Sequence, residues 1–404
     1  MKLAIMGFGT IGSGVAAIVE QNAALIERRI GAPLEVKYVL DLREFPGTSV
    51  EHKVVHDIDI IVNDPEIDVV VETMGGVEPA CTFVKKALNA GKSVTTSNKV
   101  LVEKKGAELL ALAEEKGVSF LFEASVGGGI PIIRPLNQCL TGDRITGVTG
   151  ILNGTTNYML TKMDREGVTF EAALKEAQQN GFAEADPTAD VEGLDASRKI
   201  AILSALAYGA QVDYQDVPTE GITKITDTDF RYARALGLSV KLLGSSRCID
   251  GKYYIQVSPV LLPPEHPLAA VNGVFNAILV QGNMVDQLMF YGRGAGSLPT
   301  ASAVVADVIE ELRNPHTTLV KSWDPEKLTL SDIGDLRRRF FLRLSGCKDC
   351  RAAEVEAALG AVSYTVLDGL NEFAAVTPVM TEAAFREKSA ALPGVLQVIR
   401  FEAE

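Results

Sequence analysis

Short apolar runs alternate with longer stretches of helical periodicity over the first 130 residues of the chain. The pattern predicts buried strands and intervening helices, with strands at 2–6, 34–40, 68–73, 93–96 and 118–123 and helices at 10–29, 78–90 and 100–116. Strands and helices that alternate at these lengths are typical of a parallel sheet covered on both faces. We therefore predict an α/β protein whose residues 1–130 form a Rossmann-type, doubly wound, NAD(P)-binding domain.

The pattern changes after this region. A strand at 145–152 and helices at 155–166, 169–180 and 194–208 are followed by several strand-like runs between 240 and 291. This mixture predicts an α+β domain for substrate binding and dimerisation over residues 131–313. Its last helix, at 302–313, is expected to pack back on the first domain.

The chain becomes polar near residue 314, and we place a linker at 314–335. The remaining residues, 336–404, read as strand, helix, strand, strand, helix, strand. That order is the ferredoxin-like arrangement and predicts a small third domain.

Composition and charge narrow the functional classes. The chain has 404 residues, 47% of them hydrophobic, and a formal net charge of −13. The charge disfavours nucleic acid and anionic membranes as partners, and no apolar run approaches the length of a membrane span. The first residues lead directly into a strand and a glycine loop, so we expect no signal peptide.

The cysteines also carry information about location. There are five, an odd number scattered along a long chain, which favours a reducing compartment, here the cytoplasm. Cys347 and Cys350 form a Cys-x-x-Cys pair. We find no second pair for zinc and no clear strand-to-helix context for a redox site, so we interpret them as incidental thiols in a turn.

The strongest generic motif is the glycine loop after the first strand. Gly7 permits the tight turn, Gly9 allows a pyrophosphate to approach the backbone, and Gly12 allows close packing of helix on strand. The loop follows a strand and opens a helix, as a dinucleotide site requires. Asp41 at the end of the second strand favours NAD, whereas Arg43 is suited to the 2′-phosphate of NADP, and both cofactors stay open.

Two further segments follow strands of the same predicted sheet. Lys99 closes the segment Thr96-Ser-Asn-Lys and should point at the ligand crevice, although a lysine at a helix start is more often solvated. The glycine run from Glu123 to Pro131 exposes carbonyl oxygens beside one carboxylate. Such a group suits a hard cation, and it equally suits a plain domain-crossing turn.

The segment from Gly181 to Lys199 is rich in carboxylates and runs into an apolar helix. Asp195 and Lys199 are four residues apart and share a helix face. Acids with one well-placed lysine suit a small substrate that carries an ammonium group. On charge alone, a solvated loop with a weak surface ion pair is the commoner outcome.

Several of these motifs, in this order over about residues 1–315, resemble homoserine dehydrogenases. They are the N-terminal glycine loop, Glu72-Thr-Met-Gly-Gly-Val-Glu-Pro-Ala, Ser97-Asn-Lys, the Glu123 glycine run, Asn153-Gly-Thr-Thr-Asn-Tyr, the 181–199 segment and Tyr291-Gly-Arg-Gly-Ala-Gly. The resemblance implies NAD(P)-dependent, reversible reduction of L-aspartate 4-semialdehyde to L-homoserine. That step leads to threonine, methionine and isoleucine. It also implies a homodimer or homotetramer acting on a small molecule.

The resemblance implies a role for each matching residue. Lys199 would be the acid/base and Lys99 its helper at the same oxygen, with Glu184, Asp190 and Asp195 holding the substrate. Cofactor contacts would come from Gly7, Phe8, Gly9, Thr10, Ile11, Gly12, Thr73, Lys99, Gly181, Gly294 and Gly296. A monovalent cation, Na⁺ or K⁺, would be bound by Glu123 and the carbonyls of Val126, Gly128 and Ile130.

The last residues resemble an ACT domain, a small regulatory module that often accompanies feedback by threonine. Where that pattern has Asp-x-Pro-Gly after its first strand, this chain has Ser345-Gly-Cys-Lys-Asp-Cys-Arg, so weak or no threonine binding is expected. Two other functions compete: a cysteine-dependent amino-acid semialdehyde dehydrogenase, and a non-catalytic NAD(P)-sensing regulatory protein. The second would need neither Lys99 nor Lys199.

Overall fold

The computed structural model describes residues 1–315 and 323–403, so residues 316–322 of the expected linker lie outside the described residues. The chain divides into two compact units. The first comprises Met1–Ile145, Ala201–Tyr214 and Gln281–Leu328, and the second comprises Thr146–Ile200, Gln215–Val280 and Thr329–Glu404.

The N-terminal elements alternate as expected. The strands are β1 (Lys2–Met6), β2 (Glu35–Leu40), β3 (Val54–Val55), β4 (Val69–Glu72), β5 (Ser93–Thr96) and β6 (Phe120–Leu121). The helices are α1 (Thr10–Gln21), α2 (Ala23–Ile30), α3 (Ile58–Val62), α4 (Ala80–Asn89) and α5 (Lys99–Lys116). The single helix predicted at 10–29 is wrong, because Asn22 has φ −103° and ψ 17° and separates α1 from α2.

The middle of the chain adds strands and helices of both units. The helices are α6 (Gly154–Glu166), α7 (Phe170–Gln179), α8 (Thr188–Val191), α9 (Leu194–Tyr208), α10 (Asp227–Ala235) and α11 (Ser297–Arg313). The strands are β7 (Ile145–Ile151), β8 (Ala210–Gln211), β9 (Ser239–Ile249), β10 (Lys252–Leu262), β11 (Phe275–Gly282) and β12 (Asp286–Arg293). The predicted bounds of α9 agree with the structure to the residue.

The C-terminal elements follow a short parallel pair. They are β13 (Asp324–Lys327), β14 (Arg337–Arg338), β15 (Phe340–Ser345), α12 (Lys348–Leu359), β16 (Ser363–Val366), β17 (Glu372–Val376), β18 (Met380–Thr381), α13 (Glu382–Ala390) and β19 (Val395–Phe401). Strand β13 pairs with β8 in the first unit.

The first unit is built on the predicted parallel sheet. Its strand order is β3-β2-β1-β4-β5-β6, and every neighbouring pair is parallel. The order reverses between β1 and β4, the position at which doubly wound sheets bind ligands. Helix α11 packs on α1 and on this sheet, and Val304 and Val308 share one buried core with Val15 and Ile5.

The second unit carries a mixed sheet in the order β11-β7-β9-β10-β19-β15-β17-β16. Its last four strands are neighbours in antiparallel pairs. With α12 and α13 they give the ferredoxin-like order of elements that the sequence pattern indicated. Strand β19 also pairs in parallel with β10 through Val260↔Arg400, so the C-terminal strands extend the sheet of this unit.

The prediction that Cys347 and Cys350 lie in a turn without strand-to-helix context is wrong. Strand β15 ends at Ser345, and Cys347 is the N-cap residue of the twelve-residue helix α12. The pair therefore has the strand-to-helix context that the sequence pattern did not reveal. The missing signal was the helix start, which lies four residues before the predicted helix at 352.

No helix among residues 1–315 and 323–403 is both long and apolar enough to cross a membrane.

Candidate active site

The glycine loop lies at the carboxyl end of β1, at the point where the strand order reverses. Gly7 has φ +90°, a conformation that favours glycine. A side chain at Gly12 would overlap the carbonyl oxygen of Gly7, whereas a Cβ at Gly9 would meet no atom within 4 Å. Gly9 is also the N-cap residue of α1. The open backbone at Gly9 and the helix N-terminus beside it fit a pyrophosphate.

Other predicted cofactor residues hold this loop in place. The Thr73 hydroxyl donates to the Gly7 carbonyl at 2.7 Å, directly after β4. The carbonyl of Thr10, at the start of α1, accepts from the Ser297 hydroxyl at 2.6 Å. The Phe8 ring packs edge-on against Phe45, with ring centroids 4.9 Å apart. The predicted loop is thus fixed from β4, from α11 and from the segment after β2.

Asp41 and Arg43 form a tight pair beside the loop. The Asp41 carboxylate accepts the backbone N–H of Phe8 at 2.8 Å and the Arg43 guanidinium at 2.9 Å through both Nε and Nη2. The Arg43 side chain holds the pKa of Asp41 well below its usual range. The Arg43 side chain itself is 62% exposed. A charged, exposed arginine therefore lies beside the glycine loop.

Lys99 is the first residue of α5 and is half-buried. The turn before it is fixed by Asn98, whose side chain donates to the Gly76 carbonyl at 2.6 Å and caps the helix at Leu101. Glu72 lies beneath this turn. It is fully buried and accepts from the Thr96 hydroxyl and the Met74 amide, and burial raises the pKa of its carboxyl group. Lys99 is thus carried by a rigid, strand-anchored turn.

In the second unit, Lys199 and Asp195 form the ion pair that their spacing predicted. The Lys199 ammonium donates to Asp195 at 2.8 Å and to the Leu152 carbonyl at 2.8 Å. Both side chains are at least nine-tenths buried. The alternative of a solvated surface pair is therefore wrong, because α9 packs this face into the interior rather than toward water.

One amide joins the acids of this site. Asn153, the N-cap residue of α6, donates through Nδ2 to Asp190 at 2.7 Å and to Asp195 at 2.9 Å. Asp190, Asp195 and Lys199 are thus brought together by β7, α6, α8 and α9. Asn153 is not among the site residues predicted from the sequence. Its place between a strand and a helix was the available signal.

The remaining residues of the 181–199 segment are more open. Glu184 is exposed, and no contact of its carboxylate joins it to the Lys199 pair among the residues that the structure describes. Gly181 has φ +72° and follows α7. Asp186 accepts from the Thr188 hydroxyl at 2.6 Å at the start of α8, and it is exposed, as is Glu192.

The Glu123 carboxylate is buried and accepts three backbone N–H groups, those of Ile132, Ile133 and Arg134, at 2.6 to 2.8 Å. In the described chain, the carbonyl oxygens of Val126, Gly128 and Ile130 accept no backbone hydrogen bond. Gly128 lies so close to Gly294 that a side chain on it would overlap the Gly294 carbonyl. Gly296, with φ +118°, opens α11.

These features define the class of the protein. A parallel sheet with a glycine loop at its switch point, and a buried lysine paired with a carboxylate, are the parts of a nicotinamide-dependent oxidoreductase. Comparison with known proteins identifies the family. Residues 7–123 match the family model described as "Homoserine dehydrogenase, NAD binding domain", and residues 131–309 match that described as "Homoserine dehydrogenase".

Individual relatives match most or nearly all of the chain. A homoserine dehydrogenase of Synechocystis is 40% identical and aligns over 96% of this chain and 94% of its own length. A homoserine dehydrogenase of Bacillus subtilis is 46% identical over 78% of this chain and 73% of its own. The crystal structure of a homoserine dehydrogenase from Thiobacillus denitrificans is 37% identical, with a TM-score of 0.90 over 100% of this chain and 98% of that one. The chain belongs to the homoserine dehydrogenase family.

Proposed function

We propose that the protein interconverts L-aspartate 4-semialdehyde and L-homoserine with NAD(P)H. The observation that carries the proposal is the buried Lys199–Asp195 pair, tied through Asn153 to Asp190. It supplies one ammonium group that can donate a proton to an oxygen atom. It also supplies carboxylates that can bind an amino group. The family to which the chain belongs supports the same reaction.

Lys199 is the proposed acid/base. A bound nicotinamide supplies the hydride that reduces the aldehyde carbon. Negative charge then develops on the carbonyl oxygen, where the Lys199 ammonium stabilises it and donates a proton. In the reverse direction the neutral amine takes the hydroxyl proton of homoserine. Asp195 and the Leu152 carbonyl orient the ammonium, so little reorganisation is needed during the reaction.

The acids are the proposed substrate holders. Asp190 and Asp195 both accept a hydrogen bond from the Asn153 side-chain amide, and Glu184 on the exposed segment is the third proposed contact. Lys99 is the proposed second lysine of the reaction, carried by the turn after β5. Gly181, Gly294 and Gly296 stay proposed cofactor contacts.

We propose that the cofactor is NADP or NAD. The Arg43 guanidinium supports NADP, whereas Asp41 is the acid expected for NAD. A hyperthermophilic archaeal homoserine dehydrogenase, solved in complex with NADPH, is 29% identical with a TM-score of 0.67 over 79% of this chain and 99% of its own.

A monovalent cation is proposed at the Glu123 loop. The fit rests on the carbonyls of Val126, Gly128 and Ile130, which are buried and have no backbone donor among the described residues. Oxygen donors of this kind suit Na⁺ or K⁺. The Glu123 carboxylate would contribute mainly its charge, because three N–H groups already bind it.

The C-terminal module is proposed to be ACT-like and regulatory. Its first turn is held by Arg351, which donates to the Ser345 carbonyl at 2.8 Å and to the Pro393 carbonyl at 2.6 Å. Because this turn replaces Asp-x-Pro-Gly, we expect threonine to inhibit weakly or not at all. Strong inhibition at submillimolar threonine would overturn that expectation.

We further propose a homodimer or homotetramer that works in the cytoplasm, on the route to threonine, methionine and isoleucine. All five cysteines are free thiols, which supports a reducing compartment. Light scattering at micromolar concentration tests the assembly, and a monomer mass would refute it.

Oxidation of NADPH or NADH by aspartate 4-semialdehyde, in buffer without phosphate, tests the reaction. Wild type should turn over, and Lys199→Ala should lose about 10²-fold or more, the usual scale for a general acid. Lys199→Arg should lose activity as well, since a guanidinium retains the charge but scarcely gives up a proton. Lys175→Ala on the exposed face of α7 is the matched control. A wild type inert with both cofactors would refute the proposal.

A further inference from the structure

Two exposed thiols, neither of them proposed for homoserine chemistry, lie together at the start of α12. Cys347 is the N-cap residue and Cys350 follows three positions later, in the first turn of the helix. Residues at this spacing are neighbours on a helix. Both are free and exposed, so a small reagent can reach either sulfur.

The turn that presents the thiols is held from three sides. The Ser345 amide donates to the Gly394 carbonyl and the Gly346 amide to the Asn371 carbonyl, each at 2.9 Å. Gly346 has φ +99°, which allows the chain to turn sharply from β15 into the helix. Arg351 joins the same turn to the loop before β19 through hydrogen bonds to the Ser345 and Pro393 carbonyls. Cys347 is thus positioned by fixed backbone rather than by a loose surface loop.

The surroundings of the two sulfurs differ. The pKa of Cys347 lies below its ordinary value, because the Cys350 backbone N–H, the Cys350 thiol and the Asp349 N–H donate toward its sulfur. The pKa of Cys350 is raised, chiefly by its hydrogen bond to Cys347. The charged side chains around them pair locally, Lys348 with Asp349 at 3.0 Å and Arg351 with Glu354 at 3.2 Å. The asymmetry therefore comes from the helix N-terminus and the neighbouring thiol.

We propose that Cys347 and Cys350 form a thiol–disulfide exchange site, with Cys347 as the attacking thiol and Cys350 as the resolving thiol. The co-reactant is a small-molecule disulfide such as oxidised glutathione. The Cys347 thiolate attacks one sulfur of that disulfide, forms a mixed disulfide and releases one thiolate. Cys350 then attacks the Cys347 sulfur, which closes an intrachain disulfide and releases the second thiolate.

The exchange balances. Two protein thiols are oxidised to one disulfide, and one small disulfide is reduced to two thiols that take up the two protons. In a reducing compartment such a bond is transient, which is how redox-sensing pairs behave. The site would make the C-terminal module responsive to the thiol redox state, at the turn that stands in place of Asp-x-Pro-Gly.

The test uses the reduced full-length protein in glutathione buffers of increasing oxidised fraction, followed by acid quenching, alkylation and peptide mass spectrometry. The expected product is a Cys347–Cys350 disulfide. Cys350→Ser should trap glutathione on Cys347, whereas Cys347→Ser should leave Cys350 reacting at least about tenfold more slowly than Cys347 does, as a thiol of ordinary reactivity would. Cys139, exposed and without a second cysteine nearby in sequence, is the internal control.

Three outcomes would overturn the proposal. One is alkylation of Cys347 no faster than that of Cys139 at neutral pH. Another is trapping on Cys350 rather than on Cys347 in the single variants. The third is glutathione on both cysteines without an intrachain bond. The serine substitutions are at exposed positions, and unchanged thermal unfolding verifies that each variant is folded.

Discussion

The Asn153 side-chain amide is bonded to Asp195 at 2.9 Å, and the same nitrogen donates to Asp190 at 2.7 Å. Its oxygen accepts the Thr156 backbone N–H at 2.8 Å and so caps α6. One residue therefore fixes a helix start and keeps two like charges at a set separation. Asn153 acts on the proposed chemistry through Asp195, which in turn orients Lys199.

Replacement of Asn153 should separate these two roles. Asn153→Ala removes both the cap and the amide donor. We expect a loss of about 1 kcal/mol in the free energy of unfolding and a fall in kcat/KM of roughly tenfold or more, the scale of a hydrogen bond to a charged group. Asn153→Asp restores a capping oxygen but adds a third carboxylate, so activity should fall further while α6 stays capped.

The matched control is Thr169→Ala, which removes the N-cap of α7 without touching the acids. It should cost similar stability with little change in kcat/KM. Equal loss of activity in Thr169→Ala and Asn153→Ala would show that helix capping, not the carboxylate network, explains the effect.

The predictable and unpredictable parts of this molecule differ in physical origin. The parallel sheet, α9 and the ferredoxin-like order follow from hydrophobic periodicity, which is a local property of the chain. The burial of Lys199 and Asp195 depends on which face of α9 packs inward, and charge pattern alone favoured the solvated alternative. The contact of Asn153 with Asp195 spans 42 positions, and the start of α12 at Cys347 depends on a turn held by Asn371 and Gly394. The local pattern of hydrophobic and polar residues predicts neither the Asn153–Asp195 contact nor the start of α12.

Arg43 should set the cofactor preference. Both oxygens of Asp41 are already occupied by Arg43 and the Phe8 amide, so a ribose hydroxyl would have to compete for them. The exposed guanidinium is suited to a 2′-phosphate. Arg43→Ala should therefore lower kcat/KM for NADPH about tenfold more than for NADH, the scale of one charge-assisted hydrogen bond. Initial rates with both cofactors measure this.

Arg29→Ala, an exposed arginine in the last turn of α2, is the control and should leave the ratio unchanged. If Arg43→Ala weakens both cofactors equally, Arg43 only stabilises the loop around Asp41.

Lys241 should make stability depend on pH. The residue is 3% exposed, and its ammonium donates to the Val271 carbonyl and to Asn272 Oδ1. Burial lowers its pKa to about 8 from 10.5. Between those values the unfolded chain binds more protons than the folded one, so the free energy of unfolding contributed by Lys241 rises with pH. Below about pH 8 both forms are protonated and the contribution is flat.

Urea unfolding from about pH 7.5 to 10 measures the effect as a difference between variants. The rise from Lys241 should be about 2 kcal/mol across the window, at 1.36 kcal/mol per pKa unit, and Lys241→Met should lack it. Lys175→Met, on the exposed side of α7, should keep the wild-type slope. Identical slopes in all three proteins would mean that Lys241 titrates normally.

Replacement of Gly12 by alanine should lower stability, whereas replacement of Gly9 by alanine should weaken cofactor binding. A Cβ at Gly12 would overlap the Gly7 carbonyl and lie 3.0 Å from the Thr73 hydroxyl. The backbone of β1 and α1 would have to separate, which costs about 1–3 kcal/mol of stability. A Cβ at Gly9 meets no atom within 4 Å, so stability should stay within about 0.5 kcal/mol. That Cβ would instead occupy the surface at which a pyrophosphate approaches the backbone.

Thermal unfolding and fluorescence titration with NADPH, carried out on both variants, distinguish the two effects. Gly9→Ala should bind cofactor more weakly at an unchanged melting temperature. Wild-type affinity in Gly9→Ala would mean that the cofactor phosphates do not lie against this loop.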